Sequence, residues 1–452
     1  MATDRRRLLQ SAAALLAGSA LALVNPARAK SKPSTAPGAA SAGLDPNSKA
    51  DQTAALQAAI ERSAANGGVL QLPAGTFFCK TLGLPDGVRI VGVPGATRLS
   101  FIGAGAFLVA AHANRLWLQH LIIDGALEPL DAMATDGLLT FADCSDVTLQ
   151  NLSIENSLIN GVSLRRCSGR ISECTIVRCG ATGIFSLDAS GFAITGNVVS
   201  DIGNNGIQVW RSEAGEDGTQ VAGNRISKIA ARAGGNGQNG NGVNVFRAGR
   251  VQVANNTIDD CAFSAIRANS ASNCQITGNG AARLGEVAIY AEFAFQGAVI
   301  ANNLVDGASV GISVTNFSDG GRLAAITGNL LRNLHKTSAS GEIQGVGISV
   351  EADSSVSGNV IEGAERIGIQ AGWGPFRRDI SVTGNVVRAS PIGIALASDA
   401  SAGAVLVAQN LISGATGGGI RLLDHDTPLG ADLAQDAAGV VAGVTLSGNV
   451  SV

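Results

Sequence analysis

The sequence predicts an all-β solenoid of stacked parallel coils, on three observations. A Gly-Ile-x-Val motif returns along most of the chain, as in Gly161-Val162-Ser163-Leu164, Gly206-Ile207-Gln208-Val209, Gly311-Ile312-Ser313-Val314 and Gly393-Ile394-Ala395-Leu396. An Asn followed in most copies by an apolar pair accompanies it, in the series Asn197, Asn224, Asn256, Asn279, Asn303, Asn329, Asn359, Asn385 and Asn410. The step from Gly183 to Gly206 is 23 residues, and the same step joins Gly242, Ala265, Ala288 and Gly311. A fixed period of this length marks a repeat architecture.

The elements follow in chain order. Residues from Asp51 onward read as one short helix, because Leu56, Ala59 and Ile60 fall on one helical face. Ser48 or Asp51 can cap its start and Asn66-Gly67 can end it. Such a helix can plug the apolar end of a solenoid, which a terminal unit must cover. Beyond it the apolar runs are two to four residues long, alternate in and out, and favour Val and Ile, so each coil is made of short strands. Asn suits the tight turn between two strands, since it tolerates the left-handed backbone and its amide can bond to the Asn of the next coil. Longer steps, from Gly206 to Gly242 and from Gly311 to Gly347, hold extra Gly, Asn, Ser and charged residues and read as loop insertions. A leucine-rich repeat would need Leu-x-x-Leu-x-Leu, which this chain does not carry.

The segment from Asp51 to Ile60, followed by Gly67-Gly68-Val69-Leu70-Gln71-Leu72-Pro73-Ala74-Gly75-Thr76-Phe77, resembles the entry into the right-handed parallel β-helix proteins of the pectate-lyase-like superfamily. With Arg5-Arg6-Arg7-Leu8-Leu9 as a twin-arginine-like leader ahead of the repeats, the plan is also similar to a bacterial family of twin-arginine-translocated repeat proteins with no assigned activity. The resemblance implies a right-handed parallel β-helix of roughly a dozen coils over residues 49–452. It also implies that the outer face of the Gly-Ile strands floors a substrate groove.

Residues 1–29 read as a signal peptide of twin-arginine type: Arg5-Arg6-Arg7-Leu8-Leu9, an Ala/Leu run to Val24, then Ala27-Arg28-Ala29. A Pro, Ala and Ser linker spans 30–48. These features predict passage through the twin-arginine export machinery and a periplasmic or secreted location. No later segment is long and apolar enough to span a bilayer. Loss of residues 1–29 removes four Arg and one Asp and takes the formal net charge from −3 to −6, which argues against nucleic acid as a partner. The seven Cys do not follow metal-binding spacing. Small side chains in stacked rows account for them, and a Cys144–Cys167 disulfide is a second possibility. No motif identifies a cofactor, and no metal ligand set is assigned. Asp424-His425-Asp426 reads as a solvated loop.

If Ile and Val of the motif point inward, the intervening residues form outward rows. The first includes Gln208, Asn244, Arg267 and Tyr290, and continues to Ser313, Ser349 and Gln370. The second includes Trp210, Phe246, Asn269 and Glu292, and continues to Thr315 and Glu351. Aromatic rings stack on sugar faces, amides bond hydroxyls, and an Arg can fork a uronate carboxylate. Gln208, Trp210, Asn244, Phe246 and Asn269 are therefore expected to bind a polysaccharide. In lyase or epimerase chemistry Arg267 would neutralise a carboxylate, Tyr290 would move a proton, and Glu292 would be an alternative base. The alternative function is a non-catalytic envelope or surface scaffold that displays loops for adhesion.

Overall fold

Coil after coil contributes one short strand to each of three sheets, so that each strand up to Gly418–Asp424 pairs in parallel with the strand three elements before it in sequence. The computed structural model describes residues 43–133, 135–235, 237–436 and 439–452. The signal read over 1–29 and the linker as far as residue 42 lie outside these. Among the described residues each sheet has fifteen strands. The first runs from Leu70–Gln71 to Val444–Ser447, the second from Gly75–Cys79 to Val450–Ser451, and the third from Leu82–Gly83 to Thr427–Leu429.

Constant register stacks like on like. Val162, Ile184, Ile207, Val243, Ile266, Ile289 and Ile312 occupy one column of the third sheet, each with no accessible surface. A unit this small cannot bury its apolar residues alone, and the column does it by repetition. Gly stands ahead of most of these residues, with Ala265 and Ala288 as the exceptions, and close approach favours it: a Cβ on Gly206 would stand 2.5 Å from the carbonyl oxygen of Gly242, and one on Gly311 would stand 2.6 Å from that of Gly347.

The Asn series forms an unbroken ladder at the turn between the first and second sheets. Asn303 donates through Nδ2 to Oδ1 of Asn329 at 2.9 Å and to the carbonyl of Ile276 at 3.0 Å. Its own Oδ1 accepts from N and Nδ2 of Asn279, each at 3.0 Å. Cys174 begins the ladder, its backbone N–H donating to Oδ1 of Asn197 at 2.9 Å, and Asn449 ends it. All seven cysteines are buried and unbridged.

The helix Thr53–Ala65 buries Leu56, Ala59 and Ile60 in the same apolar cluster as Leu70 and Leu82. Its N-cap position is Gln52, which makes no side-chain cap bond. Asp51 instead accepts from the N–H of Thr53 at 2.9 Å, and Asn66 with left-handed Gly67 ends the helix. Leu44 is buried, and Asp45 exchanges backbone bonds with the side chain of Gln52. At the other end of the third sheet, Thr427–Leu429 turns back antiparallel on Gly418–Asp424. No described helix is long and apolar enough to cross a membrane.

Candidate functional site on the third sheet

The outer face of the third sheet carries all eight residues expected to form a site. Strands Asn205–Glu216, Asn241–Gly249, Ile266–Asn269 and Val287–Glu292 pair in register, so Gln208, Asn244, Arg267 and Tyr290 make one column. Trp210, Phe246, Asn269 and Glu292 make the next. The columns fall as expected. Their depth differs: Gln208, Asn244 and Glu292 are 7%, 5% and 1% exposed.

The first part of the face is an aromatic shelf. Phe185, Trp210 and Phe246 meet edge to face, with centroids 5.7 and 5.6 Å apart. Larger neighbours and hydrogen bonds lower the amides beside it. Trp210 Nε1 donates to Oδ1 of Asn244 at 2.8 Å, and the Thr182 hydroxyl donates to Oε1 of Gln208 at 2.8 Å. Guanidinium groups flank both ends, Arg247 at 4.8 Å from the Phe246 ring and Arg165, paired with Asp136, at 5.7 Å from that of Phe185. Such contacts hold an aromatic ring by its electron-rich face.

Next along the stack, Arg267 and Glu292 close on each other. Arg267 Nε and Nη2 donate to Oε1 and Oε2 of Glu292 at 2.6 and 2.9 Å, and Asn269 Nδ2 adds a bond to Oε1 at 3.0 Å. The guanidinium fork expected to meet a substrate carboxylate is thus filled by a carboxylate of the chain itself. Glu292, expected to face outward, lies beneath that guanidinium. A second carboxylate, Glu286, stands 3.7 Å from Arg267 Nη1. Sequence periodicity gave it no role because it precedes its strand. Burial pushes the Glu286 carboxyl up, against the pull of Arg267. For Arg267 burial acts downward, but the bonds and charge of Glu292 outweigh it and the net direction is up. The insertion before Asn241–Gly249 covers the pair, since a Cβ on Gly237 would fall on Arg267 Nη1.

Tyr290 links this centre to a cavity of about 320 Å³ further along the same face. The Arg267 guanidinium lies 5.1 Å from the Tyr290 ring. Burial, then the nearby Glu292, push the phenol up to about 12. The cavity floor continues the outward rows through Ser313, Thr315, Ser349, Glu351 and Gln370. Burial also raises the Glu351 carboxyl, although the N–H of Phe317 donates to it at 2.7 Å. The walls come from insertions: left-handed Asn316, Ile343 and Gln344, Trp373 packed edge to face on His425, and Arg366 paired with Asp426. Asp424 is turned to His425 Nδ1 at 2.8 Å. Among the described residues no group of three His, Cys, Asp or Glu is placed to hold a metal ion.

A family model described as a right handed beta helix region matches residues 132–226 and 160–331, which include the shelf and the ion-pair centre. The fold is a right-handed parallel β-helix. Solved structures similar to it include two of bacteriophage phi29 gene product 12. Its N-terminal fragment is 13% identical over 92% of this chain and 71% of that chain, with a TM-score of 0.50. The pre-mature protein is 14% identical over 92% of this chain and 56% of that chain, also at 0.50. The catalytic unit of an α-1,3-glucanase from Streptomyces thermodiastaticus is 13% identical over 93% of this chain and 69% of that chain, at 0.45. At such identities the likeness to the two phage structures is one of fold alone. No curated protein matches the chain in sequence.

Proposed function

We infer that this is an exported, glycan-binding β-helix protein whose ligand lies along the outer face of the third sheet. The observation that carries the reading is the sharing of one face by the aromatic shelf and the polar cavity, with insertions rising around the cavity. The half-buried rings of the shelf suit the apolar sides of sugar rings, while Gln370, Ser313, Ser349 and Thr315 suit their hydroxyls. A uronate clamp is less well supported, because Glu292 already holds Arg267 and Asp426 holds Arg366. Export rests on the leader, and replacing Arg5, Arg6 and Arg7 by Lys is expected to retain the precursor in the cytoplasm.

A glycan array followed by calorimetry on the leader-free chain tests the binding. Trp210→Ala and Gln370→Ala are each expected to weaken the best ligand by roughly tenfold. Unchanged affinity in both variants sinks the reading. Lyase or epimerase chemistry by Tyr290, Arg267 and Glu292 is a second reading, favoured by one contact: Tyr290 lines the cavity while facing the Arg267 guanidinium. A phenol held neutral can protonate a leaving oxygen. Tyr290→Phe should then abolish product, followed by ultraviolet absorbance for elimination or proton NMR for epimerisation, with binding kept. The same turnover in Tyr290→Phe excludes that role.

A further inference from the structure

The outer face of the second sheet carries an apolar ridge that the core does not need. In the last six rungs the residue after the ladder Asn is Leu304, Leu330, Val360, Val386, Leu411 or Val450, and strand register places these in one column. Leu304, Leu330, Val360, Leu411 and Val450 are 40 to 52% exposed. Their chain neighbours Val305, Leu331, Ile361, Val387 and Ile412 already fill the interior at 0 to 1%. Earlier rungs hold Arg225, Thr257 and Gly280 in this column, so the ridge is local. Its length over five rung spacings is about 24 Å. A contiguous exposed apolar strip of this kind marks an interaction surface.

The charges beside the ridge name its partner. Two residues further along the same strands stand Asp306, Arg332, Glu362 and Arg388, again in one column. All four are accessible, with side chains 31 to 61% exposed. Their signs run minus, plus, minus, plus. Reversed and laid against itself, that order sets Asp306 opposite Arg388 and Arg332 opposite Glu362, an opposite charge at every position. A two-fold axis parallel to the strands, passing between the Arg332 and Glu362 rungs, produces this reversal and lays the ridge rungs from Leu304 to Val386 on those of the copy, while Leu411 and Val450 fall opposite the Gly280 and Thr257 rungs.

We propose that this face of the second sheet docks a second copy of the chain, solenoid axes antiparallel, in an isologous dimer. Self-complementarity of one patch is what a two-fold interface demands. The strip is small for a permanent interface, so the dimer dissociates on dilution, with a Kd on the order of micromolar. The ligand face on the third sheet is a different side of each coil and stays open in such a dimer.

Sedimentation velocity over a concentration series of the leader-free chain is the test. The mass is expected to rise from monomer to dimer, and Leu330→Glu with Val360→Glu to weaken association by about a hundredfold or more with unchanged circular dichroism. Arg332→Glu alone sets two like-charged pairs across the axis and weakens it by roughly tenfold. Adding Glu362→Arg restores the opposite charges across the axis but leaves Asp306 beside Glu and Arg388 beside Arg within each chain. Regained dimer in that double variant therefore supports contact between copies and not ladder stability within one copy. A monomer at every concentration, a dimer indifferent to the apolar variant, larger open assemblies, or no recovery in the double variant each overturns the proposal.

Discussion

Burial decides what individual residues of the third-sheet face can do. Arg267 and Glu292, with side chains 12% and 2% exposed, form a bidentate pair with little water to replace either partner. Glu292→Gln removes the charge of the bidentate partner and leaves Arg267 only Glu286 at 3.7 Å, a loss of up to about 3–5 kcal/mol for a buried pair. Urea unfolding should register it as a lower midpoint, whereas Arg283→Ala, which breaks the exposed pair with Asp260, should leave the midpoint nearly unchanged. An unchanged midpoint in Glu292→Gln would mean that the pair is solvated. Tyr290 offers a second reading of the same environment, because it is the only Tyr in the chain and its ionisation can be followed alone by ultraviolet absorbance. The folded protein should titrate at about 12, against roughly 10 in the unfolded chain. The folded state thus holds the phenolic proton more tightly. Its contribution to stability is complete below the unfolded value and is lost as pH rises through the folded one. Titration of the native protein at the unfolded value would place Tyr290 in water.

At the scale of the coil, two ladders of different chemistry hold the rungs in register. The Ile column is apolar and tolerant of small changes, while the Asn ladder is polar, buried and fully bonded. Asn303→Ala deletes acceptors for both amide groups of Asn279 and the donor to Ile276, so roughly 2–4 kcal/mol should be lost. Asn449, at the exposed end with fewer partners, should cost less when changed the same way, and equal losses would show that the ladder does not act through burial. These ladders explain what could be read ahead of the structure. Side-chain columns depend only on a constant step and strand alternation, both visible in the spacing of Gly and Asn, so the alignment of Gln208 with Tyr290 was legible. Depth depends on what neighbouring rungs place on top. Glu292 sank beneath Arg267 because two columns happen to hold opposite charges at a reachable diagonal. The cavity was less legible still, since Trp373, Arg366 and Asp426 come from insertions and turns that carry no period.

The scale of the whole β-helix sets how a long ligand would be held. From the Trp210 rung of the shelf to the Gln370 rung of the cavity there are six rung spacings along one sheet, about 29 Å at about 4.8 Å each. The two regions are fixed to one rigid stack, with the closed ion-pair centre between them, so a chain that reaches both binds the second at high effective concentration. Affinity across an oligosaccharide series should therefore climb steeply once the ligand spans that distance and then level off. Short oligomers occupy one region at a time, and each of Trp210→Ala and Gln370→Ala should affect only the fraction bound in its own region. Long oligomers should lose affinity in either variant and lose most in the double variant. Calorimetry on the length series measures all of this. An affinity independent of length, or a long ligand sensitive to only one of the two substitutions, would show that shelf and cavity do not serve the same chain.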